Sequence, residues 1–469
     1  MIDLITERVG GQVLTFNDEF FAAAENLIKA SEPVANDEYT DRGKWMDGWE
    51  TRRRREPGHD WLIARLGIPG RIRRVTVDTS YFTGNYPEQF SLEASGVADP
   101  EVAEWVELIP RTPLQGSSVA EFDVIQPHRV ELVRFNIYPD GGVARLRIEG
   151  EAIPAMNLVC PEGETDLALA SVGGEAIDAS DVHYSHPSNL LRPTGSAGMW
   201  DGWETKRRRG PGNDWVVVRL GMRGKIDRLV VDSTHFKGNC PGWVSAEVSD
   251  DGETWAMIAD QVPVTPHVEN VIPMDGASGG FLRLSIHPDG GLARLRVLGT
   301  PDAETAGAKR AGYLDSLFPQ AARSFFQAAC ASTAWVEDMI ERRPFGSPQG
   351  VHREAGLAFG SLSEADWLEA FGGHPRIGER ADATANREQA GTASASRETI
   401  RELIEVNRRY EEKFGFTYIV YATGKTADEM LAIARDRLDN DRDREIAIAA
   451  GEQRKITTTR LRRMLCQEI

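Results

Sequence analysis

A stretch of twenty-one residues occurs twice in this chain with only small changes, and that duplication limits the possible folds more than any other feature. Residues 47–67 read DGWETRRRREPGHDWLIARLG, and residues 201–221 read DGWETKRRRGPGNDWVVVRLG. The offset of 154 holds through RIRRVTVDTSYFTGNYP (71–87) and KIDRLVVDSTHFKGNCP (225–241). It falls to 149 at YPDGGVARLRIEG (138–150) and HPDGGLARLRVLG (287–299), so one loop of the second copy is about five residues shorter. Upstream, FNDEFFAAAENL (16–27) pairs more weakly with ASDVHYSHPSNL (179–190). Each copy is roughly 145 residues, a domain rather than a solenoid unit.

Within each copy the periodicity is that of strands. DWLIARLG is short and apolar, while RVTVDTS and VARLRIEG alternate with period two between Gly, Pro and Asp punctuation. Such strands predict antiparallel sandwiches, two jelly rolls packed as a pseudo-symmetric pair, with Trp61 and Trp215 filling their cores. The expected boundaries are 1–155 and 156–300 for the two copies. TPDAETAGAKRAG is small, polar and non-periodic, and 301–312 reads as a linker. Beyond it, residues 313–469 read as an all-α domain. SRETIRELIEVNRRYEEKFG places Ile400, Leu403, Ile404, Asn407, Tyr410 and Phe414 on one helical stripe. Thr426 and Glu429 form a capping box, and REIAIAAGEQRKITTTRLRRML is a long final helix.

Composition narrows the function classes. With 54 Lys+Arg against 72 Asp+Glu, the net charge of −18 argues against nucleic acid and anionic membranes, which need clustered cations. No apolar run reaches the ~18–20 residues needed to span a bilayer. The start, MIDLITERVGGQVLTFNDEF, has acids where a signal peptide has a basic region. Four scattered cysteines form no C-x-x-C, so neither a disulfide scaffold nor a zinc ribbon is indicated. A cytoplasmic homo-oligomer acting on small molecules is expected.

Both copies concentrate polar groups beside glycines and aromatics. In the first these are Asp47, Glu50, Arg52 to Arg55, His59, Asp78, Asn85, Asp140 and Arg145. In the second they are Asp201, Glu204, Lys206 to Arg209, Asp232, His235, Asn239, Asp289 and Arg294. Guanidinium forks bind carboxylates, and carboxylates and amides accept urea-like NH groups, so the mixture suits a small, anionic, nitrogen-rich substrate. Structural readings stand beside this one. The arginine run can be a salt-bridged turn, the Asp-Gly-Gly turns hairpin chemistry, and Asp78 and Asp232 turn caps. On chemistry alone a carbohydrate-binding module fits as well as an enzyme.

The motifs GKWMDGWETRRRR, PGHDW, VDTSYFTGNYP and NIYPDGGVARLR, with DGWETKRRR and VDSTHFKGNCP, resemble the allantoicase family over residues 1–300. The resemblance implies galactose-binding-like jelly rolls and hydrolysis of allantoate to ureidoglycolate and urea. For that reaction the candidates are Glu50, Arg52, His59, Asp78, Asn85, Asp140, Arg145, Glu204, Asp232, His235, Asn239, Asp289 and Arg294. An arginine would hold the carboxylate, and a Glu, Asp or His would activate water and protonate departing urea. No metal is expected, since His59 is replaced by Asn213 in the second copy.

In the helical part, His374-Pro375-Arg376-Ile377-Gly378, Arg387-Glu388-Gln389-Ala390-Gly391, NRRYEEKFGFTYIVYATG (407–424) and KITTTRLRRML (455–465) follow in order. With Trp335 and Arg343-Pro344-Phe345 upstream, they resemble 2-oxo-4-hydroxy-4-carboxy-5-ureidoimidazoline (OHCU) decarboxylase over residues 313–469. The resemblance implies a cofactor-free decarboxylation of OHCU to (S)-allantoin. It makes His374 the proton donor, Glu388 the carboxylate that binds substrate and positions it, and Arg460 the anion-binding arginine. Pro375, Gln389, Tyr418, Ile419, Val420, Tyr421 and Ala422 line the substrate. One position departs from the family: Ala385 stands where a Ser is usual, with Thr384 beside it. The expected protein is a bifunctional enzyme of ureide degradation; the alternative is sandwiches that bind ureide or sugar without hydrolysis, attached to a decarboxylase.

Overall fold

Alternation with period two is strongest between Asp60 and Asp78, where one strand runs for 19 residues. Its first half pairs with Val130–Tyr138, and its second half with Arg145–Ala152. Gly70 is the crossing point, in register with both Val130 and Ala152. A Cβ there would lie 2.2 Å from the Glu151 carbonyl oxygen, so only glycine lets the strand pass between layers. Gly224 does the same in the second copy, 2.3 Å from the Thr300 oxygen.

The computed structural model describes residues 1–159, 163–374 and 396–466. By internal contacts the chain divides into Met1–Phe318 and Pro319–Ile469. The first unit holds two antiparallel β-sandwiches of identical topology. In repeat 1 the strand order is Ile2–Asp3, Arg145–Ala152, Asp60–Asp78, Val130–Tyr138, Gln89–Ser95 and Val106–Pro113. Gln12–Phe16 and Val119–Asp123 also pair with the long strand. Repeat 2 repeats this order around Asp214–Asp232.

Leu62, Ala64, Leu66, Phe90, Phe135 and Ile137 face the core of repeat 1, each of the larger side chains stabilising the fold by about 1.5–3 kcal/mol if fully buried. Strict alternation puts Trp61 on the opposite, outer face. Trp61 and Trp215 are therefore not core residues, contrary to expectation. The core tryptophans are Trp49 and Trp203, both fully buried, whose indole nitrogens donate to the Asp18 and Asp181 carbonyls at 2.8 and 3.0 Å.

The segment read as a linker is instead part of a helix, Ala303–Ser316, capped by the Asp302 side chain on the Thr305 amide at 2.8 Å. Its apolar face is built from Ala306, Gly307, Ala311 and Leu314. Small residues give almost no hydrophobic periodicity, yet alanine is the best helix former. The helix packs on the sandwich unit, where Arg310 donates to the Val159 carbonyl and the Ser316 carbonyl accepts from the Arg129 amide at 2.7 Å.

The second unit is helical in its described residues: Pro319–Ala329, Thr333–Glu341, Pro348–Gly360, Glu364–Gly372, Arg397–Phe414, Ala427–Arg437 and Arg442–Met464. Side chains of Ser332, Ser347, Ser363, Ser396, Thr426 and Asp441 cap six of these, and Thr426 with Glu429 forms the expected box. On Arg397–Phe414 the stripe is narrower than expected: Leu403, Asn407, Tyr410 and Phe414 are buried, but Ile404 faces solvent. Among the described residues no helix is long and apolar enough to cross a membrane.

Candidate active sites

Glu50 ends a two-residue strand whose partner is Gly142–Val143, with Trp49 plugging the core beside it. Its carboxylate accepts from Asn85 Nδ2 at 2.7 Å. Both line a cleft of about 440 Å³ with Asp47, Lys44, Tyr81, Thr83 and Ser117. Burial raises the Glu50 carboxyl above its ordinary range, only partly offset by the Asn85 amide. A carboxyl poised this way can hold a proton and then deliver it. In repeat 2 the pair recurs, with Asn239 Nδ2 donating to Glu204 at 2.7 Å.

The arginines expected to hold substrate do something else. Arg145 donates Nε to the Ser31 carbonyl at 2.8 Å, Nη1 to the Asp47 and Ala144 carbonyls, and Nη2 to the Asp47 carboxylate at 2.7 Å. Arg294 repeats this on Thr194, Asp201, Ala293 and Gly195. Both guanidiniums are buried and committed to tying a loop to the sandwich, which leaves no fork for a ligand. Burial alone would raise the Asp47 carboxyl, but the Arg145 fork holds it below the ordinary range; Asp201 has the same balance with Arg294.

Other candidates also belong to the scaffold. Asp78 and Asp232 cap turns on the Ser80 and Thr234 amides at 2.7 and 2.8 Å. Asp140 and Asp289 accept from the Arg54 and Arg208 amides at 2.8 and 2.7 Å, shaping the arginine loops. Arg52 pairs with Asp18 at 2.6 Å. His59 leans on Tyr138, ring centroids 4.7 Å apart, in a different depression on the outer sheet face. His235 meets the Ser196 carbonyl through Nε2 at 3.0 Å. Among the described residues no three His, Cys, Asp or Glu side chains converge as metal ligands.

Backbone strain marks the expected His235 and three residues that sequence reading missed, Tyr81, Ser117 and His267. Tyr81 and Ser117 sit in the left-handed region (φ 69° and 49°), as do His235 and His267 (φ 75° and 63°). Each such residue costs on the order of 1–3 kcal/mol and persists only where its surroundings hold it. The Tyr81 amide reaches Ser117 Oγ at 3.4 Å, and the His235 amide donates to His267 Nδ1 at 2.9 Å. The signal was present in the motifs: between VDTSYF and VDSTHF, Tyr81 against His235 is the one difference that is not a Ser/Thr exchange.

In the helical unit, His374 follows Glu364–Gly372, its amide bonded to the Phe371 carbonyl at 3.1 Å. Tyr418, Ile419, Val420 and Ala422 are buried, and the segment is strapped from both sides. Arg437 donates to the Ile419 carbonyl at 2.7 Å, and the Tyr421 amide donates to Glu452 at 2.7 Å. The Tyr421 hydroxyl meets Thr459, one residue before Arg460, at 3.1 Å. Arg460 reaches toward the Ala329 carbonyl at 3.5 Å. Behind the strap, Arg437, Glu445 and Tyr410 form a buried network, in which burial pushes the Tyr410 hydroxyl far up. Pro375, Glu388, Gln389 and Ala385 lie outside the described residues.

A family model described as "Allantoicase repeat" matches residues 2–153 and again 165–302. The chain belongs to the allantoicase family. Its allantoicase repeats are followed by a match to the OHCU decarboxylase family over residues 315–462. Probable allantoicases of Pseudomonas fluorescens (strain SBW25) and Stutzerimonas stutzeri are each 41% identical to it, covering 64% of this chain and 96% of their own. The crystal structure of allantoicase from Saccharomyces cerevisiae is 34% identical, with a TM-score of 0.56 over 64% of this chain and 93% of its own.

Proposed function

We infer that the chain is a bifunctional enzyme of ureide degradation. The allantoicase repeats hydrolyse allantoate to ureidoglycolate and urea, and the helical domain decarboxylates OHCU to (S)-allantoin. The Glu50–Asn85 pair in its cleft carries the reading of the hydrolytic site. Hydrolysis breaks the bond between the central carbon and one ureido nitrogen. Glu50, as general acid, gives a proton to that nitrogen as urea leaves; water supplies the new hydroxyl and returns a proton to Glu50. Asn85 orients the carboxyl and leaves its second oxygen for the substrate.

For the decarboxylase, the reading takes His374 as proton donor, Glu388 as substrate-positioning carboxylate, Arg460 as anion-binding group and Tyr418 to Ala422 as the wall; the order of the family-like motifs supports it. Loss of CO₂ leaves a carbanion delocalised into the ring, and protonation on one face gives a single enantiomer.

Urea release from allantoate by the full chain, with and without EDTA, tests the hydrolase. Urea in both samples is the expected result; a folded chain that binds allantoate without releasing urea would make the sandwiches a binding module. Glu50→Gln should lower kcat by about 10²–10⁴-fold. His374→Ala should abolish OHCU decay and leave urea release intact.

A further inference from the structure

The two repeats differ most in the loop entering the DGWE strand. In repeat 1 the Asn26 side chain bonds the Gly48 carbonyl at 3.0 Å across 22 positions; in repeat 2 Asn189 bonds Gly202 at 2.8 Å across 13. The nine additional residues include a hairpin of Tyr39–Thr40 and Gly43–Lys44. That segment supplies one wall of the cleft holding Glu50, through Asn36, Gly43 and Lys44.

Lys44 is the only cation among the described side chains lining this cleft. Its ammonium pairs at 3.1 Å with Asp37, a fully exposed carboxylate, so an anionic ligand can exchange for that partner at little cost. The buried arginines cannot take this role, since their forks are committed to the loop and Asp47 or Asp201. Position 44 corresponds to Gly198 in repeat 2, where a Cβ would lie 2.7 Å from the Trp200 indole nitrogen. Trp200 is backed by Arg8, 5.2 Å from its ring centroid, and Met199 Sδ lies 3.7 Å from Asn239. The shorter loop thus carries Met199 to the second Glu–Asn pair and has glycine, not a cation, at the position of Lys44.

Resting on the hydrolytic reading above, we infer that Lys44 is the carboxylate anchor of the hydrolytic site. The working cleft is that of repeat 1, and Gly198 leaves repeat 2 without an anchor. Lys44 sets specificity: it selects ureides that carry a carboxylate beside the scissile carbon.

The test uses the full chain and two readouts, steady-state urea release and calorimetric titration with allantoate. Lys44→Met should raise KM about 10–100-fold with kcat changed less than threefold, and Lys44→Arg should recover most of the loss. Titration should find one allantoate per chain, weakened by the same factor in Lys44→Met. The neutral amide of allantoate should bind wild type and Lys44→Met equally. An unchanged KM, an equal loss with the neutral amide, or two equivalents bound per chain would overturn the inference. Allantoate binding without urea release by wild type would instead overturn the hydrolytic reading, while the titration still reads the anchor.

Discussion

The two repeats form an internal comparison in which most of the polar chemistry is held constant. The buried Arg–Asp tie, the tryptophan-to-carbonyl bond and the carboxylate-capped turns recur at matching positions with nearly matching distances. At the rim of the cleft the copies differ: Tyr81 against His235, Ser117 against His267, Lys44 against Gly198. Residues shared by both copies are mostly those the sandwich needs, whereas these unlike ones face the opening; His59 against Asn213 is a further difference, on the outer sheet face. The Glu–Asn pair is the exception, shared and yet placed in the cleft.

Substitutions at the shared positions should hurt both copies alike. Arg145→Ala and Arg294→Ala each leave several buried carbonyls without a donor and strip one partner from a carboxylate, Asp47 keeping Lys29 and Asp201 keeping Arg192; each should cost about 3–5 kcal/mol in denaturant unfolding of the sandwich unit. A variant that lost activity with stability intact would make its arginine a ligand group. Trp49→Ala and Trp203→Ala should cost about 3–5 kcal/mol through cavity formation, while Trp61→Ala on the outer face should cost less than about 1 kcal/mol.

A pH profile sharpens the comparison further. Burial pushes the Asp3 and Asp166 carboxyls up to about 6, against an ordinary 3.8, although Arg147 and Arg296 partly oppose it. Between those values the folded chain binds more protons than the unfolded one. Their contribution is therefore complete below pH ~4 and is lost as pH rises through ~6, by about 1.4 kcal/mol for each tenfold difference in proton affinity between the folded and unfolded chain. Asp3→Asn and Asp166→Asn should each flatten the fall measured by thermal unfolding between pH 4 and 6. The smallest effect belongs to Ile404→Gln in the helical unit, expected within about 0.5 kcal/mol because that side chain faces solvent.

The duplication and the strand periods were legible because main-chain geometry writes them directly into residue spacing. Trp61 misled because a tryptophan opening an apolar run looks like core, while register decides which face it takes. The 303–316 helix escaped because its contacts use alanine and glycine, which leave no hydrophobic stripe. For Arg145 the sequence showed a charge shared by the two copies but not that every donor was already engaged by carbonyls distant in sequence. Lys44 lay in the quoted GKWMDGWE, yet its meaning required knowing that GMWDGWE in repeat 2 follows a loop nine residues shorter. In the helical unit the caps were readable, but Glu388 and its neighbours fall outside the described residues.

The helix Ala303–Ser316 also decides where the two activities can be parted. A protease nick or a gene split at residue 300 would strip Tyr313 from the Arg129 guanidinium and Phe318 from His128, leaving an apolar scar on the hydrolase. Separation that respects the fold must come after Phe318. A fused ancestor that later divided would thus be expected to leave this helix with the sandwich half, as a C-terminal extension beyond the repeats.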